Sequence, residues 1–216
     1  MENRGENVNV NIEKGDKWIK HYCRSHKILL VGEGDFSFAA CLAKAFGSAT
    51  NMVATSLDSK VKLKRKYSRA TTNLEALEEL GCITIHGVNA HIMSQHPLLN
   101  LKLFNRIVFN FPHAGFIHRE EDIAQIRIHQ KLMKGFFRNA YNMLAKSGQV
   151  HVTHKTGYPY SSWEIEKLAK DYGLRLVEEA PFTIHDYPGY QNKRGDGNKC
   201  NKGFHVGESS TFIFVK

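Results

Sequence analysis

The residues best suited to chemistry fall in a few short stretches. Asn110-Phe111-Pro112-His113 sets an amide and an imidazole on either side of a proline. An asparagine amide both donates and accepts, so Asn110 suits a planar, amide-like edge. Pro112 stiffens the turn. His113 is a candidate proton acceptor, because an imidazole titrates near neutral pH, or else a turn residue bonded to backbone. Gly32-Glu33-Gly34 interrupts the apolar run 28–31, and a turn without side chains lets a nucleotide approach the backbone. Asp58 closes the next apolar run, 24 residues after Gly34. A carboxylate there accepts hydrogen bonds from ribose hydroxyls. A single such turn says little; the turn and the acid together point to a nucleotide.

Two basic stretches carry a different chemistry. Lys60, Lys62, Lys64, Arg65, Lys66 and Arg69 crowd residues 60–69 without an acid, and Lys193, Arg194, Lys199 and Lys202 surround Asp196. Such surfaces track phosphates with salt-sensitive affinity. Asp186-Tyr187-Pro188-Gly189-Tyr190 offers two rings, Tyr187 and Tyr190, either to stack on a base or to close a structural turn. Phe109 and Phe111 are alternatives for stacking, and strand alternation predicts that both face the same way, at least one into the core.

These groups need elements to position them. The pattern predicts strands at 28–31, 52–58, 82–88, 104–111, 149–154, 174–180 and 210–216. Helices are predicted at 36–46, 59–80 (in two pieces, broken near Thr71-Thr72), 120–144 and 162–172. Strands alternating with helices imply a mostly parallel sheet with helices on both faces. The last two strands, joined by a loop alone, imply an antiparallel hairpin at one edge. Ligands of such sheets bind at the carboxyl ends of the strands, beside the first and fourth. Residues 1–21 read as a polar lead-in, and 22–216 as a single α/β domain.

Composition bounds the rest. The chain has 216 residues, 42% of them hydrophobic, enough for one core. Thirty Lys and Arg against 21 Asp and Glu leave a formal charge of +9, which favours an anionic partner, nucleic acid first. The four cysteines form no C-x-x-C pair and imply reduced thiols in an intracellular setting. No apolar run spans a bilayer and no signal peptide is visible. The twelve histidines are scattered, so no metal site is expected; His151 and His154 should point to opposite faces of one strand.

The nucleotide is less a dinucleotide than S-adenosylmethionine. Position 37 is Ser where the dinucleotide fingerprint wants Gly, Phe36 puts a ring in the turn, and no Y-x-x-x-K proton relay occurs. Rossmann-like methyltransferases end in a C-terminal hairpin and need no pyrophosphate cradle. In amino-methyltransferases the end of the fourth strand carries Asn/Asp-Pro-Pro-aromatic, which holds a planar nitrogen toward the methyl group; Asn110-Phe111-Pro112-His113 occupies that place.

KILLVGEGDFSF (27–38), ATSLDS (54–59), GVNA (87–90), FNRIVFNFPHAG (104–115) and DYPGY-x-x-x-RG-x-G (186–197) resemble, in order and spacing, the eukaryotic large-subunit rRNA uridine-N3 methyltransferase family, of which plants carry diverged copies. The resemblance implies a Rossmann-like class I methyltransferase domain and S-adenosylmethionine held by Gly32, Glu33, Gly34, Asp35, Phe36, Ser37, Asp58, Asn89 and Ala90. It implies methylation of uracil N3 with Asn110, Pro112 and His113 at the reacting centre. Ribosomal RNA or a pre-ribosomal particle is the implied partner, and the nucleus or nucleolus the implied location. Lys60, Lys62, Lys64, Arg65, Lys66, Arg69, Tyr187, Tyr190, Lys193 and Arg194 would meet the RNA. Asn89 and Asn105 stand where the family generally has Asp. The alternatives are a diverged module that binds nucleotide, RNA or protein without methyl transfer, and a nucleotide-dependent enzyme of another class. No oligomeric state is implied.

Overall fold

The computed structural model describes residues 16–216, so most of the polar lead-in lies outside the described residues. A two-stranded hairpin comes first, β1 (Trp18–Ile19) with β2 (Tyr22–Cys23), which the sequence pattern did not reveal. Tyr22 anchors it, buried against Phe38, Tyr187 and His151. Residues 18–21, expected as part of the lead-in, therefore belong to this hairpin.

The main sheet has seven strands: β3 (Ile28–Leu30), β4 (Met52–Ser56), β5 (Ile83–His86), β6 (Phe104–Asn110), β7 (Leu144–Lys155), β8 (Arg175–Pro181) and β9 (Ser209–Val215), in the order β5-β4-β3-β6-β7-β9-β8. The neighbours from β5 to β7 pair in parallel, and β9 runs antiparallel between β7 and β8. The C-terminal hairpin is present, with β9 inserted and β8 at the edge. β3 and β6 are neighbours, and the chain leaves them in opposite directions across the sheet, which opens a crevice at their carboxyl ends.

Two apolar clusters flank the sheet. One packs α4 (Ile123–Met143) and α5 (Ile165–Lys170) through Phe136, Phe137, Met133 and Trp163. The other packs α1 (Ser37–Phe46), α2 (Lys60–Lys66) and α3 (Ala70–Glu79) through Phe38, Leu42, Leu63 and Leu77. α1 ends at Gly47 in the left-handed region with its N–H capping Ala43 and Lys44 carbonyls. His151 and His154 are both buried, the first by Tyr22 and the second by Trp163, on opposite faces as alternation requires.

Several predicted boundaries move for identifiable reasons. The break in 59–80 falls at 67–69 instead of Thr71-Thr72, because Tyr67 is extended with its ring buried. The long helix starts at Ile123, since Glu120 turns back to the histidines and Asp122 holds an extended backbone, its carboxylate accepting from Arg119 N–H. The helix expected at 162–172 is a 3-10 turn, Tyr160–Trp163, then α5, parted by Glu164 in the left-handed region. Leu144 begins β7 at once, so that strand is longer than expected.

Candidate functional site

A cavity of about 460 Å³ opens at the carboxyl ends of β3, β4, β5 and β6. Its lining includes Gly32, Glu33, Gly34, Asp35, Ser37, Asp58, Asn89 and Ala90, so all but one of the residues expected to hold the cofactor converge there from separate loops. The exception is Phe36, which does not line the cavity. It is the left-handed residue before α1 and its ring is wholly buried, edge-on to His86. The volume suits a small-molecule or cofactor ligand.

Gly32 is needed for a reason the sequence did not show. It sits at φ +69°, and a Cβ there would lie 2.5 Å from Phe109 Cε2. The ring of the fourth long strand, not a ligand, excludes a side chain at this turn. At Gly34 a Cβ would make only ordinary contacts with Lys193 and Tyr67.

The electrostatics of the cavity are uneven. Glu33 is buried, with a carboxylate oxygen accepting from Ala39 N–H at 3.2 Å. Burial outweighs that bond and, aided by the Asp35 charge, pushes its carboxyl up to about 8. Asp35 accepts from Ser37 N–H at 3.0 Å and lies 3.6 Å from Lys193 Nζ. Asp58 is held by Lys66 at 2.7 Å and Lys62 at 3.1 Å. Burial raises its carboxyl, but these two ammonium groups prevail and lower it. Asn89 Oδ1 accepts from His91 N–H, shaping the third loop. Asn110 stands out: both atoms of its amide are buried in the cavity wall with no hydrogen-bond partner among the described residues. A buried amide left in this state costs free energy until a polar ligand fills it.

Asn110 ends β6, and Phe111 follows at φ +45°. That left-handed step ends the alternation. Phe109 packs into the α4 side of the core against Phe136, whereas Phe111 turns to Phe182 and Phe204. The two rings therefore do not share a face, contrary to the expectation from strand alternation. Pro112 is buried and lines a second cavity of about 380 Å³ that adjoins the first through Phe111, His113, Lys193, Arg194 and Phe204.

His113 lines both cavities, but its ring is committed. Nδ1 accepts from Gly115 N–H at 3.0 Å, so the proton sits on Nε2, which meets Glu120 Oε1 at 2.7 Å. Neither nitrogen is open to take a proton from a base. Glu120 lies 3.4 Å from His129 Nε2 as well. Burial raises the Glu120 carboxyl, yet the histidine hydrogen bonds outweigh it and hold it at about 2. The ligand atoms of His113, Glu120 and His129 lie within 4.8 Å of one another. A metal there would need the lone pair at His113 Nε2, which the backbone bond to Nδ1 leaves protonated, so the trio is a hydrogen-bond network that braces the 112–116 turn. Gln125 completes it from α4, donating to Gly115 O and accepting from Ile117 and His118 N–H.

The residues expected to meet RNA divide into two groups. Lys60, Lys64, Arg65 and Arg69 are exposed on and around α2, and Arg194 is exposed where the cavities meet. Lys62 and Lys66 neutralise Asp58, and Lys66 also donates to Gly195 O at 2.7 Å. Lys193 is nearly buried, donating to Gln191 Oε1 and Asn201 O. Tyr187 is buried beside Phe38 and stacked with Phe182. Tyr190 packs edge-on to Phe38 and lines the first cavity. Lys193 and Tyr187 thus fasten segment 187–204 over the sheet, in keeping with the turn reading for Tyr187, while Tyr190 also borders the first cavity. The residues missed by sequence reasoning are Glu120, His129 and Gln125. Their spacing on one helix entrance was visible, but their target, the 112–116 turn, was not.

Residues 29–194 match the family described as BMT5-like, rRNA (uridine-N3-)-methyltransferase BTM5-like. The chain belongs to this family. Among curated relatives, an uncharacterized protein of Arabidopsis thaliana is 50% identical over 95% of the chain and 100% of its own length. The Arabidopsis heavy metal-associated isoprenylated plant protein 41 is 50% identical over 91% of the chain, which spans only 38% of that relative's length. The 25S rRNA (uridine(2634)-N(3))-methyltransferase of Saccharomyces cerevisiae is 28% identical, covering 79% of the chain and 66% of its own length. Among solved structures, a TehB-like SAM-dependent methyltransferase from Corynebacterium glutamicum aligns with TM-score 0.52 at 18% identity, covering 89% of this chain and 81% of that one. That likeness bears out the Rossmann-like methyltransferase fold of the BMT5-like domain.

Proposed function

We propose that the protein is an S-adenosylmethionine-dependent RNA methyltransferase acting on N3 of a uridine, with ribosomal RNA as substrate. The observation that carries this reading is the unpartnered Asn110 amide at the end of β6, facing a nucleotide-sized cavity that Asp58 and the glycine turn also line. The yeast relative, named for uridine-N3 methylation, supports the substrate class and agrees with a nuclear or nucleolar place of action.

The cavity fits the donor. Asp58 would take the ribose hydroxyls, Asn89 and Ala90 would border the adenine, and Gly32 to Gly34 would lie along the amino-acid end. The donor supplies a methyl group on a positive sulfur. Asn110 would donate to one uracil carbonyl or accept from the imide edge, fixing the ring plane. His113, held by Glu120, would orient the turn that carries Pro112 and does not itself take the proton. The pairing edge of uracil must be exposed for this contact, so the base is single-stranded or flipped out.

Calorimetry with S-adenosylmethionine, followed by methyl transfer to deproteinised or partly assembled large-subunit rRNA, tests the reading. Micromolar or tighter donor binding and a 3-methyluridine product are expected. Asp58→Ala should weaken donor binding by about 1–3 kcal/mol. A folded wild-type protein that binds no donor would point instead to a diverged interaction module.

A further inference from the structure

Uracil N3 carries a proton at neutral pH, and methylation there needs the anion. Since both His113 nitrogens are engaged, the structure must favour that anion by other means. Beside the first cavity, the second cavity sets a cation against aromatic faces. Its walls include Phe111, Phe116, Tyr160, Trp163 and Phe204, with Lys155 and Arg194 among them. Lys155 ends β7, two residues beyond Thr153, which is in register with Asn110 on β6. Its ammonium lies 5.0 Å from the Tyr160 ring centroid and 5.2 Å from that of Phe204. It forms no ion pair and no side-chain hydrogen bond among the described residues, unlike Lys66 and Lys193. Trp163 Nε1 is also buried without a hydrogen-bond partner among the described residues. A cation between two aromatic faces, unpaired among the described residues and in a cavity that adjoins the one lined by the unfilled Asn110 amide, suits a flat anionic ring.

We infer that the second cavity receives the acceptor uracil and that Lys155 is the catalytic cation that stabilises its imide anion. This rests on the proposed methyltransferase reading and deepens it. The step balances without a protein base. The imide nitrogen loses its proton to water, its electron pair forms the bond to the methyl carbon, and the carbon–sulfur bond breaks to leave a neutral thioether. An adjacent ammonium lowers the pKa of the imide by favouring its charged form. The other charged or titratable groups facing Lys155 are consistent with that role. Glu120 turns its carboxylate to His113 and His129, Oε1 bonded to the first and Oε2 3.4 Å from the second without a hydrogen-bond partner among the described residues; His154 is buried and lowered to about 4, so neutral, and Arg194 and His205 add no negative charge. Burial pulls the Lys155 ammonium down and Arg194 adds to this, while Glu120 supports it.

Two measurements test the inference. The first maps photo-crosslinks from a single-stranded oligoribonucleotide carrying 4-thiouridine, with S-adenosylhomocysteine present. Crosslinks to Tyr160, Trp163 or Phe204 are expected; crosslinks confined to other surfaces overturn the assignment, whatever the methylation assay shows. The second follows single-turnover methyl transfer against pH in wild type, Lys155→Met and Lys155→Arg, each checked for melting temperature and S-adenosylhomocysteine binding. The rate should rise with pH as the imide ionises. Lys155→Met should move that limb upward by about one unit, roughly ten-fold in rate at neutral pH, and Lys155→Arg should restore most of it. A limb unmoved in folded, cofactor-binding Lys155→Met would overturn the role of Lys155 while leaving the methyltransferase reading intact. Wild type that transfers no methyl group would instead overturn that reading.

Discussion

At the scale of single residues, burial and hydrogen bonding decide what each candidate can do. Asn110 is the sharpest case, because an unpartnered buried amide is tolerated where it serves a ligand. Asn110→Ala removes a contact that positions the base, and it leaves the donor contacts alone. Turnover should fall by one to two orders of magnitude, about 1.4–2.7 kcal/mol, with S-adenosylhomocysteine affinity unchanged in calorimetry. A parallel loss of cofactor affinity would move Asn110 out of the acceptor role. Glu33 makes a pH prediction. Its carboxyl sits at about 8 in the folded protein against a reference of 4.5, and burial is the main cause. The folded state therefore binds the proton more tightly than the unfolded one. The resulting stability is present below about pH 4.5 and is lost as pH rises through 8. Glu33→Gln should flatten the fall in melting temperature between pH 5 and 8, and an unchanged slope would show that Glu33 ionises elsewhere in the range.

At the scale of elements, the turn between β3 and α1 is the part most constrained by its neighbours. Gly32 is left-handed and faces Phe109, which is itself packed on Phe136 of α4. Gly32→Ala adds both backbone strain and a clash with an aromatic ring that cannot swing away. A loss of about 1–3 kcal/mol in urea unfolding is expected, with donor binding weakened as the turn shifts. Wild-type stability in that variant would mean that Phe109 has room to move. The same logic explains the 112–116 turn. It is braced by Glu120, Gln125 and His129 from the start of α4, so a loop that carries reacting groups is held by the rigidity of a helix.

Across the whole molecule, a charge of +9 invites an RNA partner, but its distribution matters more than its size. Lys62, Lys66 and Lys193 spend their charge on internal carboxylates. Among the described residues, the cations of α2 without a carboxylate partner are Lys60, Lys64 and Arg65, exposed on the helix whose Lys62 and Lys66 line the first cavity. Lys64→Ser with Arg65→Ser should weaken RNA binding and flatten its salt dependence by up to about two phosphate contacts. Cofactor affinity should stay as in wild type, because neither side chain lines the cavity. A salt slope equal to wild type, measured by filter binding or fluorescence anisotropy, would place the RNA on another face.

The amino-acid sequence by itself determined the strand-helix alternation, the ends of β3, β4 and β6, and the set of loops that meet at the cavity. Those features are local: apolar period, glycine turns and a terminal carboxylate are each legible within a few residues. It also made the family recognisable, since FNRIVFNFPHAG and its companions keep order and spacing. The tertiary structure alone decided which side chains remain available. Lys193 and Tyr187 look like RNA contacts along the chain, yet packing against Asp35 and Phe38 consumes them. His113 looks like a base, yet Gly115 and Glu120 occupy both of its nitrogens. Phe111 leaves the face of Phe109 because one residue adopts a left-handed backbone. Each outcome depends on a partner far away in sequence or on a single dihedral angle. A one-dimensional pattern shows which groups a chain owns, and three-dimensional packing determines which of them keep a free lone pair, proton or charge.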